Sequence, residues 1–292
     1  WTNEAKGKAA VHCVIIGFSN HVPSVCRIFE CNASGEFQQI DVPNISPYLI
    51  AGGDTVIPGR KSPVQSFAPS MQYGSFALDD GNLTISPAER ADIISSNETA
   101  MDFILPFLGG LELLRGEKRY CLWLSNFRGE DLKRHPMIAR RIEQVRIWRE
   151  SSSRLTTKKL ARTPAIFAEI RQPKSNYLAI PTLSSVRRLY VPIGFLPPTV
   201  IASNQLYVLP NATLYDFGIL HSQIQMSWLK RIGGRFKSDF RYSNAIVYNN
   251  FPWPEPTDQQ KVAVESCAQA VLDARAKYPE CTLADLYDPL TM

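Results

Sequence analysis

Residues 231–242 bring together side chains that bind anions and side chains that hydrogen-bond to base edges. Lys237 and Asp239 are two positions apart, so a β-strand would present both on one face. That face would also carry two arginines, Arg235 and Arg241. A lysine can donate to guanine O6 and N7, and an aspartate can accept from cytosine N4, so the pair could read one G·C base pair. The opposite face would carry aromatic side chains that pack into the core: Phe236, Phe240 and Tyr242. The alternative is a salt-bridged edge strand that uses the same residues.

Basic residues are concentrated in the middle of the chain. Residues 115–174 hold 16 Lys and Arg against 6 Asp and Glu, and residues 187–241 hold 7 against 2. Residues 1–114 hold 6 against 12, so the overall charge of +5 understates the asymmetry. Such clustering favours a nucleic-acid surface, although solvated helix faces would give the same counts.

Three common signatures of catalytic, metal or cofactor sites were sought and rejected. The stretch 52–62, "GGDTVIPGRKS", has one residue too many between its glycines for a phosphate-binding loop and places an arginine before the lysine. The six cysteines form no Cys-x-x-Cys pair, which argues against zinc. His221 fits a buried helical position better than a catalytic one. No catalytic, cofactor or metal site is therefore predicted, and with no secretory signal or membrane-spanning stretch we expect a cytoplasmic protein with reduced thiols.

Several elements are predicted from local patterns. Residues 9–18 and 119–124 are apolar, strand-like runs, and a helix should start after Ser86 because Pro87 fits the first helical position. A helix is predicted over residues 136–151, with Arg149 largely away from its apolar face. The apolar face of that helix would consist of Ile138, Ile142 and Val145.

The second half alternates short strands with helices. Proline-ended strands are predicted within residues 176–210, and the helical pattern of 215–234 stops at Gly-Gly. A shorter helix is predicted over 163–170, after a Thr-Pro start. Thr257 opens a capping box and Thr282 caps one more turn. These elements predict an α+β fold, with a mixed sheet, packed helices and a small C-terminal helical segment.

Several stretches in one order resemble the C-terminal portion of the MmeI family. They are "SSVRRLYVPIGF", "VIASN", "GRFKSDFRYSNAIVYNNFPWP" and "LADLYDPLTM". Members of that family are single-chain bacterial restriction–modification enzymes that combine an endonuclease, an adenine-N6 methyltransferase and a target-recognition domain. The opening "WTNEAKGKAAVHCVIIGF" resembles the end of the methyltransferase domain. The resemblance implies three parts: 1–20 from the methyltransferase, 21–256 for DNA target recognition and 257–292 as a helical segment.

The resemblance also implies roles for individual residues. Lys237 and Asp239 correspond to the pair that decides one G·C base pair, with Arg241 beside them. Asn204, followed by Gln205, corresponds to a second base-reading position, and Thr182 marks a third. Candidates for phosphate contacts, which position a protein without reading sequence, are Ser184, Ser185, Arg187, Arg188, Lys230, Arg231 and Arg235. A solvated turn is the alternative for Arg187 and Arg188.

The family's catalytic Asn-Pro-Pro-aromatic motif, its S-adenosylmethionine glycine loop and its endonuclease motif do not occur in this sequence. We therefore expect this chain to supply DNA target specificity and not catalysis. S-adenosylmethionine and Mg²⁺ are implied for the parent enzyme and no cofactor for this part. The implied partners are double-stranded DNA and an intramolecular methyltransferase domain, with no membrane. The alternatives are a stand-alone specificity subunit that recruits a separate methyltransferase, a self-contained DNA-processing enzyme with an unrecognised site, and an interdomain scaffold.

Overall fold

The structure, a computed structural model, describes residues 14–32 and 35–291. Its strands are short, and two of the longer ones end at a proline, which cannot donate to a further ladder bond. In chain order the strands are β1 Cys26–Cys31, β2 Phe37–Val42, β3 Gln72–Tyr73, β4 Thr84–Ile85, β5 Ile104–Leu108, β6 Tyr120–Leu122, β7 Tyr177–Pro181, β8 Leu183–Ser184, β9 Gly194–Leu196, β10 Ile201–Ala202, β11 Leu206–Pro210, β12 Gly234–Phe236 and β13 Asp239–Arg241.

These strands form small sheets and not one continuous sheet. β1 and β2 form a two-stranded hairpin. Two four-stranded sheets have the orders β10-β5-β6-β4 and β3-β11-β7-β9, and a three-stranded sheet has the order β12-β13-β8. The β10–β5 pair is parallel, whereas β5–β6 in the same sheet is antiparallel. The predicted α+β class with mixed sheets is therefore confirmed.

Most of the longer helices start at a side chain that caps their first N–H groups. The helices are α1 Pro87–Ser96, α2 Gly110–Arg115, α3 Gly129–Arg134, α4 Pro136–Ser151, α5 Leu155–Leu160, α6 Leu214–Leu220, α7 Gln223–Ile232, α8 Asp258–Ala276 and α9 Leu283–Leu286, with a 3₁₀ turn Glu98–Phe103 and a π-helical turn Asn244–Tyr248. Ser86, Thr257 and Thr282 each accept the N–H of the residue three positions on, as predicted. Among the described helices, none is both long and apolar enough to span a bilayer.

Two main cores lie on either side of a small cluster that joins them. The first packs β7 and β11 against α6, α7 and α8, with Phe217, Tyr242 and Trp253 inside. The second packs β5 and β6 against α1 and α4, and the predicted face of α4 lines it. Between them, Tyr177 and Leu206 belong to the joining cluster. Adjacent strands β10 and β11 thus belong to different sheets, and the turn between them lies at the junction.

Arg149 does not lie away from the apolar face of α4, so that prediction was wrong. Its side chain is fully buried, and its guanidinium donates to five backbone carbonyls. The acceptors lie 2.9–3.1 Å away and are the carbonyl oxygens of Ala77, Leu78, Leu160, Thr163 and Ile166. Burial lowers the pKa of Arg149, while the nearby Asp79 carboxylate opposes that shift. Each N–H of the guanidinium that could be orphaned in the core is therefore satisfied.

Three further predictions need correction. Residues 163–170 do not form a helix: the Thr163 carbonyl accepts from the Ile166 N–H in a single turn, and Glu169 forms an antiparallel bridge with Phe76. The pattern over 215–234 divides into α6 and α7, which are separated by His221 and Ser222. In "RLYVPIGF" only the end belongs to a strand, β9.

The strand predicted over 9–18 is only partly covered by the described chain. Residues 9–13 lie outside it, and residues 14–18 belong to no strand and expose their apolar side chains.

Candidate nucleic-acid interface

The stretch around Lys237 is a tight hairpin and not one continuous strand, which corrects the prediction. Phe236 pairs with Asp239, so Lys237 and Ser238 form a two-residue turn. Lys237 has a φ of 56°, in the left-handed region that such turns use. Lys237 therefore projects from the tip of the hairpin, while Asp239 begins the returning strand. The two side chains are neighbours through the turn and not through strand alternation.

The hairpin register also redistributes the predicted faces. Arg235 is paired with Phe240, and its guanidinium carbon lies 4.0 Å from the centre of the Phe240 ring. Arg235 thus shares a face with Phe240 and not with Arg241. Phe240 and Tyr242 are buried as predicted, but Phe236 is 57% exposed, so it does not anchor the hairpin. The exposed ring lies on the same side of the hairpin as Asp239 and Arg241.

Backbone hydrogen bonds join this hairpin to the Thr182 segment. Arg241 pairs with Leu183 and Phe240 with Ser184, which adds β8 as a third strand. The Tyr242 N–H donates to the Thr182 carbonyl over 2.9 Å. Two residues after the end of β8, the Val186 N–H donates to the Asp239 carboxylate over 3.4 Å. Two predicted base-reading segments, which are about 55 residues apart in sequence, therefore lie side by side.

The Asn204–Gln205 turn completes the same edge. The Thr182 N–H donates to the Gln205 carbonyl over 3.1 Å, so the Asn204–Gln205 segment meets the other two predicted segments at Thr182. Both Asn204 and Gln205 are exposed. The Gln205 side chain accepts from the Gly110 N–H at 3.4 Å and lies against Gly109, where an added Cβ would come within 2.3 Å of its oxygen. Gly109 thus allows the close approach that places Gln205.

A buried hydrogen bond fixes the base of the hairpin. The Tyr242 ring is enclosed, and its hydroxyl accepts from the Gln225 amide nitrogen of α7 over 2.6 Å. Burial raises the pKa of Tyr242, so this hydroxyl stays protonated. At the start of the hairpin, Arg235 donates to the Lys230 carbonyl at the end of α7. The sequence predicted neither contact, because each joins residues from different elements.

Unpaired cations surround this edge. In the described part of the chain, seven basic side chains have no carboxylate within ion-pairing distance: Arg187, Arg188, Lys230, Arg231, Arg235, Lys237 and Arg241. In residues 115–174, five of the sixteen basic residues form ion pairs: Arg115, Arg119, Arg141, Arg146 and Arg171. The basic residues around the hairpin therefore form a positively charged surface that matches a polyanion.

Two of the predicted phosphate contacts have less accessible positions. Ser184 is 2% exposed, and its hydroxyl has no hydrogen-bond partner among the described residues, so it faces the interior and not a surface phosphate. Arg188 is half-buried, and burial lowers its pKa while Asp239 and Asp288 favour its charged form. Arg187, Lys230 and Arg231 are exposed, and Ser185 is half-buried in the turn that Arg188 closes.

Comparisons with known proteins show the family to which this fold belongs. The family model described as "MmeI, target recognition domain" matches residues 51–255, and "MmeI, C-terminal domain" matches residues 256–292. A solved structure, described as type IIL restriction-modification enzyme MmeI in complex with DNA, superposes over 100% of this chain with a TM-score of 0.96 and 41% sequence identity. "DNA methyltransferase A" of Bacillus subtilis (strain 168) is 36% identical over all 292 residues.

The chain spans 39% of the solved MmeI chain and 32% of the Bacillus protein. Between them, the two family models cover residues 51–292 without a gap. The resemblance seen in the sequence motifs is confirmed. This chain belongs to the MmeI family and contains its target recognition and C-terminal domains.

Proposed function

We propose that this chain reads the DNA sequence on behalf of a larger restriction–modification enzyme. The observation that carries the proposal is the assembly of three predicted reading segments into one edge, by backbone hydrogen bonds at Thr182. The exposed tips of that edge carry side chains with the donors and acceptors that base edges require: Lys237, Arg241, Asn204 and Gln205. An amide can bond adenine N6 and N7, and a lysine or arginine can bond guanine O6 and N7.

The proposed division of labour follows from exposure and charge. Lys237 and Asp239, at and beside the hairpin tip, would read the two halves of one G·C pair. The exposed cations Arg187, Lys230 and Arg231 flank the hairpin, have no carboxylate partner among the described residues, and would contact phosphates. Such contacts set the position of the duplex and supply affinity that is independent of sequence.

We assign the chemistry to the remainder of the intact enzyme. The relatives are about three times as long as this chain, which supports a module within a longer protein over a separate specificity subunit. S-adenosylmethionine and Mg²⁺ would serve that remainder. Within residues 14–32 and 35–291, no group of three or more His, Cys, Asp and Glu side chains is placed to hold a metal ion. The proposed partners are duplex DNA and the methyltransferase domain of the same polypeptide.

Exchanging the proposed reading pair tests the function. The variant Lys237→Asp/Asp239→Lys, made in the intact protein, preserves net charge and places at 237 a residue that tolerates a left-handed φ. We expect the enzyme to change or lose its preference at one base pair of the methylated sequence. The discrimination against a mismatch at that base pair should change by about 1–3 kcal/mol, or roughly five- to 150-fold. Sequencing of methylated adenines in cells that express the variant measures this.

A matched control exchanges the surface ion pair Arg146 and Glu150 on α4, which lies on the second core. That exchange should leave the methylated sequence unchanged. If the Lys237 and Asp239 exchange also leaves it unchanged in a folded, active protein, the hairpin does not read DNA and the scaffold alternative is favoured.

A further inference from the structure

We propose that Arg60 is a pre-oriented DNA-backbone contact on a segment outside the three reading segments. The inference rests on the proposed function and adds a binding residue to it. Arg60 belongs to "GGDTVIPGRKS", the stretch that failed as a phosphate-binding loop by its spacing. The structure gives this stretch a different means of binding phosphate, through one oriented guanidinium.

Residues 57–69, here called the strap, are fastened along residues 245–253. The Arg60 N–H donates to the Ala245 carbonyl over 2.8 Å, and the Val64 N–H donates to the Asn249 carbonyl over 2.8 Å. The Asn249 amide donates back to the Arg60 carbonyl at 2.8 Å. Farther along, the Tyr248 hydroxyl donates to the Pro69 carbonyl at 2.6 Å. The Arg60 backbone is thus held on both sides of its Cα.

Asn250 then orients the Arg60 side chain. The Asn250 amide nitrogen lies within donating distance of the carbonyls of Pro58, Ala245 and Ile246, at 2.9–3.1 Å. Its oxygen accepts from Arg60 Nε over 3.0 Å. Among the described residues, neither Nη1 nor Nη2 of Arg60 has an acceptor, and no carboxylate lies within ion-pairing distance. The guanidinium is therefore held at one edge and presents its outer edge to solvent.

An oriented guanidinium with a vacant outer edge fits a phosphate. Two parallel N–H groups match two phosphate oxygens, and the side chain loses less rotamer entropy on binding because Asn250 already restrains it. Lys61, which is also exposed, adds a second positive charge next to it. A phosphate is favoured over a base edge because no strap residue belongs to the three-stranded sheet that carries the proposed reading residues.

Chain connectivity places Arg60 within reach of the same duplex. Ala245, whose carbonyl binds Arg60, follows Arg241 by four residues, so their Cα atoms are at most about 15 Å apart. Successive phosphates of one DNA strand are separated by 3.4 Å along the helix axis, so a length of about 20 Å along the duplex corresponds to roughly six base pairs. Arg60 would therefore contact the backbone that flanks the bases read by the hairpin.

Salt-dependent binding by the intact protein tests the proposal. The probes are a 30-base-pair duplex that contains the sequence the protein methylates and a duplex of the same length without it. For Arg60→Gln we expect the slope of log affinity against log salt to fall by about one, and affinity to fall about tenfold on both duplexes. Arg60→Lys should retain the slope, because it retains the charge. Arg146→Gln on α4, whose guanidinium is already bound by Glu143 and Glu150, should change neither quantity.

A footprint on the wild-type protein provides a readout that needs no variant. Phenylglyoxal should modify Arg60 in the unbound protein and fail to do so at saturating duplex, while the exposed Arg154 stays reactive in both. Equal reactivity of Arg60 with and without DNA, or a wild-type salt slope for Arg60→Gln, would overturn the proposal. A change of methylated sequence in Arg60→Gln would also overturn it, in favour of base reading. A wild-type protein that binds neither duplex would instead refute the proposed function.

Discussion

Replacing Arg149 with methionine should destabilise the protein strongly, although the residue lies far from the proposed interface. The guanidinium is completely buried and donates to five carbonyls from two separate segments, at 77–78 and 160–166. Methionine fills a similar volume but donates no hydrogen bond. The carbonyls of Leu78 and Ile166 then lose their only donor among the described residues, whereas those of Ala77, Leu160 and Thr163 keep a backbone N–H donor. Leaving a buried acceptor without a donor typically costs about 1–3 kcal/mol, so the two carbonyls together cost about 2–6 kcal/mol. For a chain of this size that corresponds to a fall of roughly 4–24 °C in the unfolding midpoint.

Thermal unfolding followed by circular dichroism measures the effect. Arg146→Met is the matched control, because Arg146 lies one turn earlier on α4 and its guanidinium binds only the exposed Glu143 and Glu150. We expect the control to unfold close to the wild-type temperature. If both variants unfold at the same temperature, the Arg149 hydrogen bonds do not hold the turns of residues 160–166.

Two other predictions concern the turn and a buried histidine. Lys237→Gly should keep the unfolding free energy or raise it by up to about 1 kcal/mol, because glycine adopts the φ of 56° without strain. The same variant should lose the sequence preference at one base pair. Urea unfolding measures the first effect and methylation mapping the second, and a destabilised variant would contradict the turn geometry. Burial, and then the Arg275 charge, lowers the pKa of His221 to about 3. Its neutral form therefore contributes stability that is present above about pH 6.5 and is lost as pH falls toward 3, at up to about 1.4 kcal/mol per pH unit. In urea titrations, the difference in unfolding free energy between wild type and His221→Phe should therefore shrink between pH 7 and 4.5. A difference that stays constant over this range would contradict the prediction.

The elements that could be predicted from sequence are those set by local contacts. Ser86, Thr257 and Thr282 cap helices through bonds to residues three positions away, so a short window of sequence contains the whole interaction. The face of α4 was likewise readable from the spacing of Ile138, Ile142 and Val145. The candidate site residues were indicated by residue type and by resemblance, and the structure brings three of their segments to one edge.

What could not be predicted depends on partners that are distant in sequence or on an atypical turn. Arg149 reads as a solvated charge until Ala77 and Leu78, which are 72 and 71 residues away, are placed beside it. The hairpin was missed because Lys237 and Ser238 are not the glycine or asparagine that usually marks a two-residue turn. Arg60 was set aside with its loop motif because its partner, Asn250, is 190 residues away.

The hairpin separates positions fixed by packing from positions available to a ligand. Phe240 and Tyr242 are 2% exposed, and the hydrogen bond to Gln225 fixes the second of them, so substitution there would disturb the first core. Lys237 and Arg241 are exposed and form no ion pair with the described residues, so their identity contributes little to packing. Because the ladder to β8 uses backbone groups, it forms whatever side chain stands at the exposed positions. On the proposed function, a change of recognised sequence would therefore require new side chains at these exposed positions and no change of fold.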